Sequence, residues 1–158
     1  MAIDSVGTRR TPERNSPLLG GIPIIDKEVA TITVTSGTTP VTLTAAQLLV
    51  GLIPVDCQDT GTLTLPTAAL LNAAIPGVKK GSWFGATFIN FGDTTLTVAV
   101  GTGITAKVIT TKTTALTLTT LQSDIFYFAC TGVANPSDPS TSDTWDLYAT
   151  GPHAAAAA

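Results

Sequence analysis

The sequence predicts an all-β fold: a jelly-roll-like β-sandwich of about eight to ten strands, with one or two short helices and an extended N-terminal arm. Three observations predict it. About thirty of the 158 residues are threonine, a β-branched residue that suits a pleated surface with its hydroxyl toward water. Apolar and polar residues alternate at period two in many short runs, of which "VATITVT" (29–35) is the first, and that period belongs to strands with one buried face. Turn chemistry separates the runs at close spacing, as in "SGTTP", "FGDT", "GTG" and "LQSD", which is the rhythm of a sandwich.

Residues 1–28 form the arm. Pro12, Pro17, Pro23 and the pair Gly20-Gly21 interrupt mixed charges that show no apolar period, so the segment is expected to gain order only against another surface. The sandwich domain spans 29–150, and 151–158, ending in "HAAAAA", is expected to be a disordered tail of tag or placeholder residues. Within the domain, "VATITVT" and "TPVTLT" are the first two strands. "TAAQLLVG" (44–51) reads as a short helix with a threonine cap and a closing glycine. "LIPVDC" is a strand, expected at an edge or a bulge because Pro54 donates nothing to a ladder. "TLTL" follows, and then the second helix, "PTAALLNAAIPG" (66–77), opened by Pro66 and ended by Pro76-Gly77. Its Leu70, Leu71, Ala74 and Ile75 are expected to share a buried face, leaving Asn72, Thr67 and alanine methyls outside. The strands then resume in "SWFGATFINF", "TTLTVAV", "ITAKVIT", "TALTLTT", "DIFYFACT" and "TWDLYAT", with a surface loop over 132–143.

Charged residues make up 12% of the chain and hydrophobic residues 44%, with a net charge of −3. No concentrated basic face is available for phosphates, so nucleic acid is not an expected partner. A surface so poor in charge lacks a usual protection against association and predicts permanent assembly. All three arginines, Arg9, Arg10 and Arg14, lie in the arm, where guanidinium groups suit an acidic protein surface. The start of the chain lacks the basic-then-apolar pattern of a secretory signal, and no run of about 18 apolar residues is present to span a bilayer; a cytosol-like compartment and no membrane are expected. Cys57 and Cys130 form no CxxC pair and sit among apolar residues, so both are predicted to be buried free thiols.

Motifs that carry chemistry are scarce. "VAVGTGITA" fits GxGxxA at Gly101, Gly103 and Ala106, with Asp124 downstream, but "KVITTKTTALTLTT" after it is strand-like, whereas the dinucleotide fingerprint opens a helix. A glycine-permitted hairpin is the better reading. His153 is the single histidine and lies in the tail, so a histidine metal centre, a Ser-His-Asp triad and a Cys-His pair each lack a member. Asp56 with Asp59, and Asp138 with Asp143 and Asp146, are the local acid groups. Both stand in turn-rich sequence, where aspartate caps the backbone; the second group has calcium-type ligands without EF-hand spacing. Trp83 with Phe84 and Trp145 with Tyr148 suit either packing or sugar stacking.

Taken in order, "LTAAQLL" (43–49), "TLTLPTAALLNAAIPG" (62–77) and "GSWFGATFINFGDTTLTVAVGTGIT" (81–105) resemble a domain that recurs in structural proteins of tailed bacteriophages. Within that group the series is most similar to the head decoration, or cement, proteins with a jelly-roll-like core, over about residues 40–110. The resemblance implies a virion protein without enzymatic activity, and the scarcity of motifs leaves no cofactor or metal expected. The resemblance also implies a homotrimer made in the host cytoplasm that clamps neighbouring major capsid protein subunits on the capsid exterior. On that reading Arg9, Arg10, Arg14, Ile22, Ile24 and Ile25 of the arm engage the capsid, and Leu70, Leu71, Ile75 and Trp83 face neighbouring subunits. The alternative is a phage tail or fibre module that binds a host receptor or carbohydrate.

Overall fold

From residue 32 to residue 132 each successive strand lies in the other of two sheets. The computed structural model describes residues 18–19, 22–23, 29–35, 40–108, 116–138, 140–151 and 153–154. In chain order the elements are β1 (Leu18–Leu19), β2 (Ile22–Pro23), β3 (Ile32–Val34), β4 (Val41–Thr42), α1 (Ala45–Leu48), β5 (Leu52–Cys57), β6 (Gly61–Thr64), α2 (Ala68–Ala74), β7 (Trp83–Asn90), β8 (Leu96–Ala99), β9 (Ile104–Val108), β10 (Thr117–Leu118), β11 (Gln122–Gly132), β12 (Thr144–Ala149) and β13 (His153–Ala154). β1 and β2 make a small antiparallel ladder of their own. The large sheet is ordered β3-β5-β7-β11-β12-β9, with β13 also on β11, and the small sheet β10-β8-β6-β4.

The fold is mostly β, as the alternation predicts, but its pairing departs from a jelly roll, which is antiparallel. β3, β5 and β7 pair parallel in the large sheet, and β4, β6 and β8 pair parallel in the small one. Successive strands from β3 to β8 therefore coil between the layers, each turn stacking on the one before. Parallel neighbours cannot be joined by a tight hairpin. The return path from small sheet to large is supplied twice by a helix: α1 leads from β4 to β5, and α2 from β6 to β7. On the third return, Gly101 and Gly103 replace the helix. A Cβ on Gly101 would stand 2.3 Å from the Pro66 carbonyl oxygen, and one on Gly103 2.7 Å from the Ala68 Cβ. The glycine pair is thus a close-packed crossing between sheets, not a hairpin, because β8 and β9 belong to different sheets.

Thr44 caps α1 as the sequence predicts, whereas α2 begins later than predicted, with Thr67 as its cap and Pro66 outside the helix. The Thr44 side chain accepts from the Gln47 N–H, which Gln47 reciprocates, and Thr67 accepts from the Leu70 N–H. Pro54 lies one strand in from the edge, in β5. The β3 ladder begins only at Ile32↔Val55, so the N–H that proline lacks falls just beyond the partner strand.

The core lies between the sheets. Val34, Ile53, Val55, Phe88, Phe126, Phe128, Trp145 and Leu147 from the large sheet meet Leu63, Leu96, Val98 and Leu118 from the small one, all at 2% exposure or less. Each such side chain contributes about 1.5–3 kcal/mol by leaving water. Phe84 stacks on Phe128 (4.8 Å, 9°) and meets Trp145 edge-on (5.5 Å, 66°). Among the described residues no helix is long and apolar enough to cross a membrane.

Asn90, fully buried at the end of β7, ties the layers together. Its Nδ2 donates to the carbonyls of Thr94 (2.7 Å) and Leu118 (3.0 Å), and its Oδ1 accepts from the Gly92 N–H (3.2 Å). Replacing Asn90 with alanine removes all three of these bonds, two of them buried. The expected cost is about 2–4 kcal/mol of unfolding free energy, read as a lower urea midpoint with an unchanged m-value.

Candidate functional site

The two sheets present very different outer faces. On the small sheet the outward positions are mostly threonines: Thr62, Thr97 and Thr117 lie side by side, as do Thr42 and Thr64, with Ala99 beside Thr64. On the large sheet "QSDIFYFACTG" alternates so that Asp124, Phe126, Phe128 and Cys130 point inward while Ile125, Tyr127 and Ala129 point out. Register then places Tyr127 opposite Tyr148 on one side and Gly85 on the other, with Trp83 beside Ala129. Gly85 brings no side chain, and the Tyr127 ring occupies the space above it. Trp83 is 70% exposed, and Tyr127 and Tyr148 are 38% and 37% exposed. The Trp83 and Tyr127 rings lie 6.4 Å apart at 54°. Leu52 and Ile125 extend the patch, which is the largest concentration of exposed aromatic surface among the described residues.

At one end the aromatic face runs into a groove of about 510 Å³ whose lining includes Val78, Lys79, Lys80, Thr131, Val133 and Thr144. A register shift in β11 between Cys130 and Gly132 opens it, and bulges of this kind re-aim side chains near sites. A Cβ on Gly132 would stand 2.6 Å from Thr144 Oγ1 and 2.6 Å from the Ser142 carbonyl oxygen. The Thr131 hydroxyl donates to Thr144 Oγ1 at 2.9 Å. The lysine turn is held by backbone bonds, Gly81 N–H to the Cys130 carbonyl (2.9 Å) and Cys130 N–H to the Ser82 carbonyl (2.8 Å).

Helix α2 is fastened beside this groove by Asn72, which the sequence places on the outer face of the helix. Its Nδ2 donates to the Gly132 carbonyl and to Asp143 Oδ1, and its Oδ1 accepts from Trp145 Nε1 at 2.7 Å. Asp143 also accepts from the Ala134 N–H (2.9 Å). That anchorage sets the helix rotation and corrects the predicted buried face. Ala68 and Leu71 are buried and Ile75 packs against the core, while Leu70 is 54% exposed and Ala74 is exposed as well.

The residues predicted to form sites are therefore divided. Trp83 and Leu70 are open to a neighbour and Ile75 is half-buried, but Leu71 is sealed in the core and offers no contact surface. Arg9, Arg10, Arg14, Ile24 and Ile25 lie outside the described residues, and for Ile22 the structure gives backbone pairing only. Of the four aromatics considered for stacking, Trp145 and Phe84 point into the sandwich, and Tyr127 takes their place outside. Asp56 accepts from Gln58 Nε2, and Asp59 from the Thr60 N–H. The Ser140 hydroxyl and N–H hold the Asp138 carboxyl below the usual carboxylate range (2.6 and 3.0 Å). Asp138, Asp143 and Asp146 have separate partners, and among the described residues no group of three or more His, Cys, Asp or Glu side chains is placed to hold a metal ion. Cys57 and Cys130 are free and buried, as predicted, and burial pushes the Cys130 thiol up.

Asn72→Asp tests the anchorage. It removes both donations and puts a second carboxylate against Asp143, so two like charges face each other when both are ionised. The repulsion is full where both are ionised and fades as falling pH puts a proton on one of them. The variant is expected to lose about 2–4 kcal/mol at pH 7 and to recover part of it at low pH, measured by urea unfolding at both.

Similarity to known proteins does not extend this geometry: no family model matches the chain, nor does any curated protein or solved structure.

Proposed function

We propose that the chain is a structural virion protein that decorates a phage capsid as a trimer, docking on the major capsid protein through the outer face of the large sheet. The observation that carries the docking surface is the exposed cluster of Trp83, Tyr127 and Tyr148 on an otherwise regular sheet. Soluble monomers rarely leave such clusters uncovered, and Trp and Tyr are the residue types that most often dominate protein interfaces. The capsid as partner comes from the resemblance of residues 40–110 to head decoration proteins. The jelly-roll-like core implied by that resemblance survives here only as a two-layer sandwich.

The arm completes the proposed attachment. Three arms in a trimer, each with Arg9, Arg10 and Arg14 against acidic groups and Ile22, Ile24 and Ile25 in apolar grooves, multiply a weak contact through effective concentration. A carbohydrate-binding fibre module competes for the same aromatic residues, but the 54° tilt between Trp83 and Tyr127 denies a sugar one flat platform.

The test measures retention on capsids that lack the protein. Trp83→Ala with Tyr127→Ala is expected to weaken binding by about 2 kcal/mol or more, roughly thirtyfold, while leaving the fold intact because both side chains are exposed. Deleting residues 2–25 is expected to abolish retention. Undiminished binding by both variants, or binding to host polysaccharide in place of capsids, overturns the proposal.

A further inference from the structure

The groove beside the aromatic face has a chemistry of its own. Lys79 and Lys80 stand together at its rim, and they are two of the three cationic side chains described, Lys107 being the third. Among the described residues neither ammonium is paired with a carboxylate. Asp143, next to the lining residues Ser142 and Thr144, is engaged by Asn72 and the Ala134 N–H. Thr131 and Thr144 supply hydroxyls on the floor, and Val78 and Val133 supply apolar walls. Gly132, which tolerates no side chain there, and the bulge at 130–132 keep the groove open. In a protein of net charge −3, an unpaired lysine pair over a hydroxyl-lined groove is a local reversal of sign.

We infer that this groove binds the carboxylates of an acidic polypeptide segment on the docking partner. The inference deepens the docking reading and rests on it for its biological meaning. Three features select this ligand. The groove is several times larger than one phosphate, and no arginine fork or helix N-terminus lines it, two devices common in phosphate sites. Val78 and Val133 suit the methylene stems of Glu side chains, while Lys79 and Lys80 reach the carboxylates as point charges. The groove also continues the face that carries Trp83, so an acidic segment seated there lies at the rim of an aromatic interface, where charge sets register and encounter rate. The arginine-rich arm has the same preference, so two separate elements of one chain ask for an acidic partner.

The experiment is an NMR titration of the full chain, labelled with nitrogen-15, against acetylated, amidated tetraglutamate, with tetragalacturonate and inorganic phosphate as parallel probes. Tetraglutamate is expected to give saturable shifts at the amides of 79–81, 132–133 and 142–144. Its affinity is expected to fall at least tenfold in Lys79→Ala/Lys80→Ala, to survive in Lys79→Arg/Lys80→Arg, and to weaken as ionic strength rises from about 0.05 to about 0.5 M, where exposed charge is screened. Trp83→Ala is expected to change it less than about twofold. Equal tetraglutamate binding by the alanine double variant, or stronger binding of galacturonate or phosphate at these amides, overturns the inference. So does the absence of saturable shifts. If tetraglutamate fails while capsid retention still depends on Trp83, the groove assignment falls and the docking reading stands.

Discussion

Parallel pairing inside both sheets is the constraint on which the rest of the molecule depends. Once β3, β5 and β7 run in one direction in one layer, and β4, β6 and β8 do so in the other, every turn of the coil needs a way back between layers. A threonine-capped helix provides it twice, and a glycine pair provides it where α2 already fills the space. The short, uncharged α2 is thus a crossover first. Its small residue Ala68 lets the β8–β9 crossing pass close by, with the Ala68 N–H donating to the Thr102 carbonyl at 2.9 Å. The same helix carries Asn72 to the bulged end of β11, so the element that closes the coil also shapes the wall of the groove.

Much of this was legible in the sequence. The period-two runs, the Thr44 helix cap and the buried free thiols follow from residue types and local spacing. Strand partners did not follow, because alternation states which side chains face inward but says nothing about which strand lies next door. One signal for the parallel coil was present. "VTLTAAQLL" and "LTLPTAALL" are versions of one pattern, a strand running into a threonine-capped helix, and the structure stacks them with Val41 on Leu63 and Thr42 on Thr64. Repetition of a unit at close spacing is the mark of stacked coils. Read as independent hairpins, the two copies suggest a jelly roll.

The candidate site was only half legible, for a different reason. Tyr127 sits in "DIFYFACT", where apolar residues at both parities disguise an outward face as a doubly buried strand. Only the register to Gly85 and Tyr148 shows that one parity is bare. Asn72 misled in the opposite sense. A polar residue on a short helix is ordinarily solvated, yet here its amide satisfies a buried indole and a strand carbonyl together. Such a residue is recognised by its partners, which lie 60 and 73 positions away.

How the molecule can associate follows from what its sheets leave open. Edge strands invite added strands, but here β4 and β10, at the ends of the small sheet, are two residues long, and β3, at one end of the large sheet, is three. β9, at the other end, is longer but carries Lys107, whose charge discourages strand addition. Edge pairing therefore offers few hydrogen bonds to a newcomer. The broad faces remain, and of the two the threonine face offers hydroxyl groups, whose burial gains little, while the Trp83, Tyr127 and Tyr148 face gains by leaving water. Docking on that face, as proposed, would need no backbone group of either sheet, so it would ask for no change in the ladders or the core that specify the fold.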